Sequence, residues 1–576
     1  MTRATDVRRT PLVAALPAVW TFLFSVVLLG PALGWGYVLT YDMVWVPQLD
    51  LRADTLGLGS ALPRAVPSDA VVAVLDEVVP AVLLQKVVLL GSLLAAGTGA
   101  AALVAERSTA ARLVAATVAV WNPFVVERLL IGHWPLLVGY AVLPWLVVSL
   151  RRGRREDRLP LVLPLLLVLG SLSASAGLAT AVATLACGAD RDRPRRTLAL
   201  LALVLAANAP WLVAGLVQSG GGTSDPVGAT LFATGDEGLL PAPWAALSLG
   251  GIWNAELVPV SRTGWAGVAT TVLVVVAAAV ALVRVGRGRA RVDGLGGLVV
   301  CWGVGFGLAL VSWAAPDTLG RLAATVPGGG LVRDGSRLLG LTVPLVVVLV
   351  AVSVDALLAR LPDLAGRVMV GGVLALVPVS LMPDALWGVG GRLAAVAYPA
   401  SYDEARTAVA SAPAGDAVSL PFVSYRAPEW NNGGRRVLDP LGRYLDRPVV
   451  VNDELVVSGT RIAGEDPRAA RVSEALAAGS PGERAAELHA VGVSVVVVEE
   501  IEGYPVPAVS GTTTLDGDLT VVELGPAEPR SASAVRRGAV GAAWAGWLAL
   551  AAAPFVAAVR RRRSGSSATS GMDRQK

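Results

Sequence analysis

The feature that most limits this chain is a succession of apolar runs, each close to the length that crosses a lipid bilayer. A hydrocarbon core of roughly 30 Å needs about 20 residues of α-helix, and backbone inside it must satisfy its own hydrogen bonds. Twelve runs qualify, at approximately 12–33, 80–104, 111–126, 134–150, 159–173, 176–189, 197–217, 264–283, 296–315, 338–358, 368–384 and 538–558. Hydrophobic residues make up 54% of the chain and mean hydropathy is +0.62, so a water-soluble globule is excluded. The first run is too long for the apolar part of a cleavable signal and no small-residue cleavage site follows, so it reads as a retained helix. The expected fold is a polytopic α-helical membrane protein of about 12 transmembrane helices.

Orientation follows from arginine. Lys86 and Lys576 are the only lysines, and the arginines gather in short clusters between the runs, a topology signal and not a nucleic-acid one. Arg3, Arg8 and Arg9, Arg107 with Arg112, and the clusters within 151–158, 191–196 and 284–291 all fall on one side; so do Arg360 with Arg367 and Arg560 to Arg563. That side is the cytoplasm, which makes this a multi-pass plasma-membrane protein with both termini cytoplasmic. The runs 159–173 and 176–189 are each short. Joined, they would span about 31 residues and reverse every later cluster, so two short spans are expected.

The larger polar pieces then lie outside. A multi-span domain, 1–384, carries extracytoplasmic loops at 34–79, 218–263 and 316–337. An extracytoplasmic α/β domain occupies 385–535, and 536–576 holds the last helix and a basic cytoplasmic tail. Within the outer domain YDEARTAVASA and PGERAAELHAVG read as helices; DAVSLPFV, RPVVVNDELVV and VSVVVVEE read as strands. TTTLDGDLTVVELG reads as a hairpin turning at Asp516-Gly517. No GxGxxG, P-loop, GxSxG or HExxH stands in a matching context. With two histidines and two cysteines, Cys187 and Cys301 both in spans, neither a His-rich metal centre nor a disulfide is expected.

Several residues could carry chemistry. Asp42, in TYDMVWVP just after the first span, is a carboxylate placed by Tyr37, Tyr41 and Trp45 at headgroup level. It could act as a general base, or ligate a divalent cation; its plain reading is a solvated acid beside Asp50 and Asp54. Lys86 lies about two turns into the second span, where an ammonium is a functional candidate that could meet a lipid phosphate or snorkel to the interface. The turn WNPFVVERLLIGHWPLL crowds Glu127, Arg128 and His133 between apolar runs. Glu127 and Arg128 could neutralise each other at the surface, and His133 could be an interface hydrogen-bonder or a base. Arg333 and Arg337 are four residues apart ahead of the tenth span; on one helix face near its N-terminus they would suit a phosphate, and beside Asp334 and Asp317 they would be neutralised. Asp225, Asp236 and Glu237 sit in a Gly-rich loop that could cover a substrate or only connect, and Trp430, Asn431 and Asn432 form a weak sugar-stacking pattern.

The layout of these residues resembles the GT-C superfamily of integral-membrane glycosyltransferases, in its poorly characterised actinobacterial and archaeal branch. The resemblance rests on the first-loop acid in TYDMVWVP, the basic residue opening the second span in LLQKVV, the NPF-x-x-ERLLxGHWPLLxGY turn and the C-terminal α/β domain. It implies a GT-C-like transferase that takes a sugar from a polyprenyl-phosphate donor at the outer leaflet. The acceptor would be a cell-envelope glycan, lipid or protein, with membrane lipids as surroundings and no nucleic acid. It implies Asp42 as the catalytic or metal-linked acid, and Lys86, Arg333 and Arg337 as contacts of the donor phosphate. Beside these, Glu127 and His133 stand as further catalytic candidates, and Arg128 and Trp45 as further substrate contacts, on their place in the sequence alone. The paired acids of better-known branches are absent, since Met43 and Val44 follow Asp42, which leaves a divalent cation an open matter. Two other classes stay in view: a lipid or glycan transporter, and a non-catalytic envelope-assembly protein.

Overall fold

The computed structural model describes residues 11–218, 224–325, 329–528 and 530–572. Arg3, Arg8 and Arg9, the stretch 219–223 with its three glycines, the start of the VPGGGLV segment at 326–328 and Lys576 lie outside the described residues. Among those described, ten helical segments are long and apolar enough to cross a membrane, so the chain is a multi-pass membrane protein. They include α1 (Pro11–Leu29), α2 (Ala81–Leu103), α3 (Thr109–Val120) continued by α4 (Pro123–Leu130), and α5 (Trp134–Arg155). The pair expected at 159–173 and 176–189 is two shorter helices, α6 (Leu163–Leu169) and α7 (Ala174–Gly188). Then follow α8 (Pro194–Gln218), α9 (Trp265–Gly286), α10 (Leu295–Ala314), α11 (Val343–Leu358, led in by a 3-10 stretch from Gly335) and α12 (Leu364–Leu381).

These spans are not equivalent. Thr109–Leu130 is 89% enclosed by protein and Gly335–Leu358 is 78% enclosed, whereas only 11% of Leu364–Leu381 is covered. The two most enclosed of these spans carry Glu127 and Arg128, and Arg337. A charged group facing hydrocarbon costs several kcal/mol, so Glu127, Arg128 and Arg337 can stand only where protein surrounds them. Close packing supports this: α2 lies against α1, α3 and α5, and α3 against α11.

The C-terminal domain is built on strands. In chain order these are β1 (Tyr37–Val38, from the first loop), β2 (Ala395–Val396), β3 (Asp416–Leu420), β4 (Tyr425–Arg426) and β5 (Val437–Leu438). After them come β6 (Val449–Val450), β7 (Leu455–Val457), β8 (Thr460–Ile462), β9 (Val493–Glu499), β10 (Thr512–Leu515) and β11 (Leu519–Glu523). The main sheet runs β10-β11-β9-β3-β6, parallel across β9, β3 and β6 and antiparallel beyond. The unbroken apolar run of β9 reflects burial of both faces. Val496 packs with Val418, Leu420, Val472 and Leu488 beneath the helices α14 (Pro467–Leu476) and α15 (Pro481–Ala490), while Val495 and Val497 join the main core. The expected strand RPVVVNDELVV is broken into β6 and β7, because Asn452 and Asp453 turn the chain with their side chains, accepting from Glu454 N and from the Glu465 and Asp466 amides. The helix α13 (Ala400–Ser411) and the turn at Asp516-Gly517 fall where the sequence places them.

Two devices tie this domain to the membrane part. β1 pairs with β2, and Tyr41 exchanges backbone hydrogen bonds of 2.8 Å with Arg436 O and Leu438 N. The hairpin β4–β5 that receives Tyr41 is itself anchored by Arg426, a fully buried guanidinium between Asp439 (3.1 Å) and Glu499 (3.0 Å). Removing one partner from a buried ion network leaves the others uncompensated and costs about 3–5 kcal/mol. Arg426→Met should therefore lower stability by about that amount, read as a lowered unfolding midpoint of the purified protein.

Candidate functional site

The site begins with the sequence WNPF. Asn122 accepts from Val125 N at 3.0 Å and caps α4, with Pro123 in the first turn where no backbone donor is needed. Gly132 then takes φ +85, and a Cβ there would lie 2.3 Å from Met43 N and 2.5 Å from Thr40 O. Only glycine lets the turn after α4 press so closely on the first loop. Asp42 N donates to Ile131 O at 3.1 Å and Thr40 Oγ1 to Leu130 O at 2.7 Å, which brings Asp42 against His133.

The imidazole Nε2 of His133 lies 2.9 Å from Asp42 Oδ2. Its Nδ1 faces Arg128 Nη1 at 3.5 Å. A guanidinium can only donate, so Nδ1 is the acceptor and the network assigns the proton to Nε2, aimed at Asp42. Arg128, 0% exposed, continues to Ser336 Oγ (2.5 Å) and Asp334 (3.6 Å). Asp334 also accepts from Ser336 Oγ at 2.6 Å and from Arg337 Nε at 3.0 Å. On the opposite side Tyr425 Oη, from β4, donates to Asp42 Oδ1. One edge of the carboxylate stays open, with the side chain 34% exposed.

The electrostatics follow from these partners. Burial pushes the Asp42 carboxyl up, but the hydrogen bond from His133, the Tyr425 hydroxyl and the nearby Arg337 outweigh it and bring it down to about 2. Burial lowers His133 below its usual 6.5, and Arg337 and Arg128 add to that against the pull of Asp42, so the ring is neutral. Asp334, despite burial, is held below the usual carboxylate range by Arg128 and Arg337. Tyr425 is raised well above 10 by burial and by the charge of Asp42, so it stays a donor.

The remaining candidates separate. Arg333 lies over the Phe232 ring at 4.8 Å, and among the described residues no carboxylate comes within salt-bridge distance of it. It stands near Arg337 and Arg64, and Arg64 pairs with Glu465 at 3.1 Å. The expected helical pairing of Arg333 with Arg337 does not occur: residues 329–332 and 335–342 are separate 3-10 turns, and Arg333 falls between them. Asp317 takes no part in neutralising them and instead accepts from Thr230. Glu127 is buried and does not meet Arg128 at a surface. It turns to Glu237 and Arg262, themselves paired at 2.7 Å, so Glu237 is a core group, and the described part of the loop, 224–263, includes short helical turns at Val227–Leu231 and Ala242–Leu247. Asp225 and Asp236 accept from backbone amides of Val227 and Ala242. Trp45 is 3% exposed and packs on Trp134 at 5.3 Å, so its ring is enclosed by protein. Lys86 meets Gln85 Oε1 at 3.2 Å and stands outside the Asp42 constellation. Trp430 packs on Tyr398 and Tyr402, and Asn431 is buried, which removes the sugar-stacking surface.

Sequence reasoning missed Tyr425, Ser336 and Arg64. Asp334 entered only as a group that could neutralise the arginines, and it does pair with Arg337 at 3.0 Å. Ser336 lies in the same VRDGSR segment, and Tyr425 carried no local signal. Among the described residues, no group of three or more His, Cys, Asp or Glu stands together as cation ligands, and a cation at Asp42 would compete with His133 and Tyr425 for its oxygens.

No family model and no curated protein matches the sequence. Among solved structures the chain is similar to the arabinofuranosyltransferase AftD from Mycobacteria, with a TM-score of 0.51 and 17% identity over 89% of this chain and 41% of that one. The chain thus spans about two fifths of that transferase's length. An archaeal oligosaccharyltransferase, AglB from Archaeoglobus fulgidus, matches at a TM-score of 0.34 and 11% identity over 84% of this chain and 65% of that one, too distant to inform the fold.

The neutral, buried His133 sets a pH dependence. Because its pKa is lowered in the fold, the unfolded chain binds the extra proton below 6.5, so its contribution is complete above pH 6.5 and lost as pH falls below. Asp42, depressed to about 2, keeps its contribution above 3.8 and loses it only towards pH 2. The unfolding midpoint should be level from pH 8 to 7 and fall as pH drops below 6.5. His133→Asn should flatten that fall, since His489, the other histidine, is exposed on the C-terminal domain.

Proposed function

Because this chain has the GT-C fold of membrane glycosyltransferases, we propose that it moves a sugar from a polyprenyl-phosphate donor to an envelope glycan, lipid or protein acceptor. The reaction would take place at the outer face of the plasma membrane, with both termini cytoplasmic. The observation that carries this is an ionised, half-open Asp42 with Arg337 near it, and beside Arg337 an Arg333 that has no salt-bridge partner among the described residues.

The step is a single inverting displacement. The acceptor hydroxyl oxygen bonds to the anomeric carbon, the bond from that carbon to the phosphate oxygen breaks, and the electron pair leaves with the lipid phosphate. Arg337 and Arg333 stabilise that phosphate through charge-assisted hydrogen bonds. The acceptor proton passes to Asp42. A carboxylate near 2 is too weak a base to take it from a neutral alcohol, so transfer is late, when bond formation has made the oxygen acidic. His133 and Arg128 hold Asp42 in place and do not touch substrate. Arg128 and Trp45 are therefore withdrawn as substrate contacts, and Glu127, which faces Glu237 and Arg262, as a catalytic group. The phosphate is assigned to Arg333 and Arg337 in place of Lys86.

Purified protein offered a panel of radiolabelled polyprenyl-phosphate sugars should form product, and folded Asp42→Asn should lose about 10²- to 10⁴-fold in rate. Transfer that survives the substitution would move the proton acceptor elsewhere. A folded protein that uses none of the donors would favour the transporter or assembly readings. Arg333→Gln removes a guanidinium with no carboxylate partner. It should leave the unfolding midpoint in place and raise donor KM about tenfold; an unchanged KM would take the phosphate away from Arg333.

A further inference from the structure

We infer that Tyr425 is a positioning residue of the proposed transfer, so that the C-terminal domain completes a site otherwise built by the membrane part. The inference rests on the transferase reading and adds to it the residue that holds the proton acceptor in register.

Asp42 has two oxygens and one donor on each: His133 Nε2 on Oδ2, and Tyr425 Oη on Oδ1. The terminal torsion of an aspartate is broad, so one donor alone leaves the carboxylate free to turn about its axis. Two donors from opposite sides fix its plane and direct the open edge. His133 comes from the turn after α4, whereas Tyr425 lies 383 residues from Asp42 in sequence. Its position is no accident of a loose loop. β4 pairs Tyr425 with Leu438 and Arg426 with Val437; Tyr41, next to Asp42, bridges to Val437 and accepts from Leu438 N at 2.8 Å. The Tyr425 ring lies 5.9 Å from that of Tyr41, and Arg426 ties the same strand to Glu499 of β9 at 3.0 Å. A continuous path therefore runs from the central sheet through Arg426 and Tyr425 to the carboxylate. The phenol contacts Asp42 and no part of the path requires it to touch sugar.

Tyr425→Phe keeps the ring against Tyr41 and removes only the hydroxyl. In the transfer assay kcat should fall about 10- to 100-fold, with donor KM within about twofold of wild type. A folded variant with wild-type kcat would overturn the inference, and so would a rise in KM with kcat unchanged. A readout free of substrate accompanies it: unfolding midpoints of wild type, Asp42→Asn, Tyr425→Phe and the double variant. If the phenol holds the carboxylate, the double variant loses less than the two singles summed. Additive losses would overturn the inference whether or not any donor is turned over. Non-additive losses in a protein that uses none of the donors would sink the transferase reading and leave the positioning contact standing.

Discussion

A guanidinium with no access to solvent is the constraint on which the site depends. Arg128 lies inside the most enclosed span of the protein, where an unmatched charge would be prohibitive. Its matching groups, Asp334 and Ser336, come from the turn ahead of α11, so the ion pair staples two enclosed spans together at the level of the loops. The same guanidinium also fixes which nitrogen of His133 carries the proton. That choice decides that Asp42 meets a donor and not a second acceptor. A buried pair of this kind adds little to net stability against an apolar core of equal volume. Its consequence lies in specification: through His133 it orders the proton that meets Asp42.

Close backbone approach supplies the rest. Gly132 allows the turn after α4 to sit on the amide of Met43, and Tyr41 joins the hairpin β4–β5 by two main-chain bonds. The loop bearing Asp42 is thus clamped from the membrane side by a glycine turn and from the other side by a sheet edge. Neither clamp uses a side chain of the loop's own acid, which leaves one edge of the Asp42 carboxylate open.

Legibility in the sequence follows the range of the physics. The spans could be read because bilayer thickness imposes their length, and the short pair α6 and α7 because the arginine clusters forbid joining them. Asp42 could be read because a carboxylate among aromatics after a first span is unusual, and His133 because it sits in a dense polar turn. The burial of Trp45 was not legible, because an exposed aromatic and an enclosed one share the same local pattern; only the stacking on Trp134 separates them. Arg333 and Arg337 misled through helical spacing, since the glycines around them break the segment into 3-10 turns. Tyr425 was invisible for a different reason: β4 and β5 are two residues each, too short for any periodicity, and their pairing spans nearly the whole chain.

An acid held near 2 is at first sight a poor choice for a group meant to accept a proton, since efficient general bases lie near the working pH. In the proposed transfer a carboxylate this weak would leave an unreacted alcohol protonated and would take the proton only from an oxygen already bonding to the anomeric carbon. Rate would then depend on where the lone pair points more than on how basic it is. On that reading, two donors delivered by two separate parts of the chain serve to aim it.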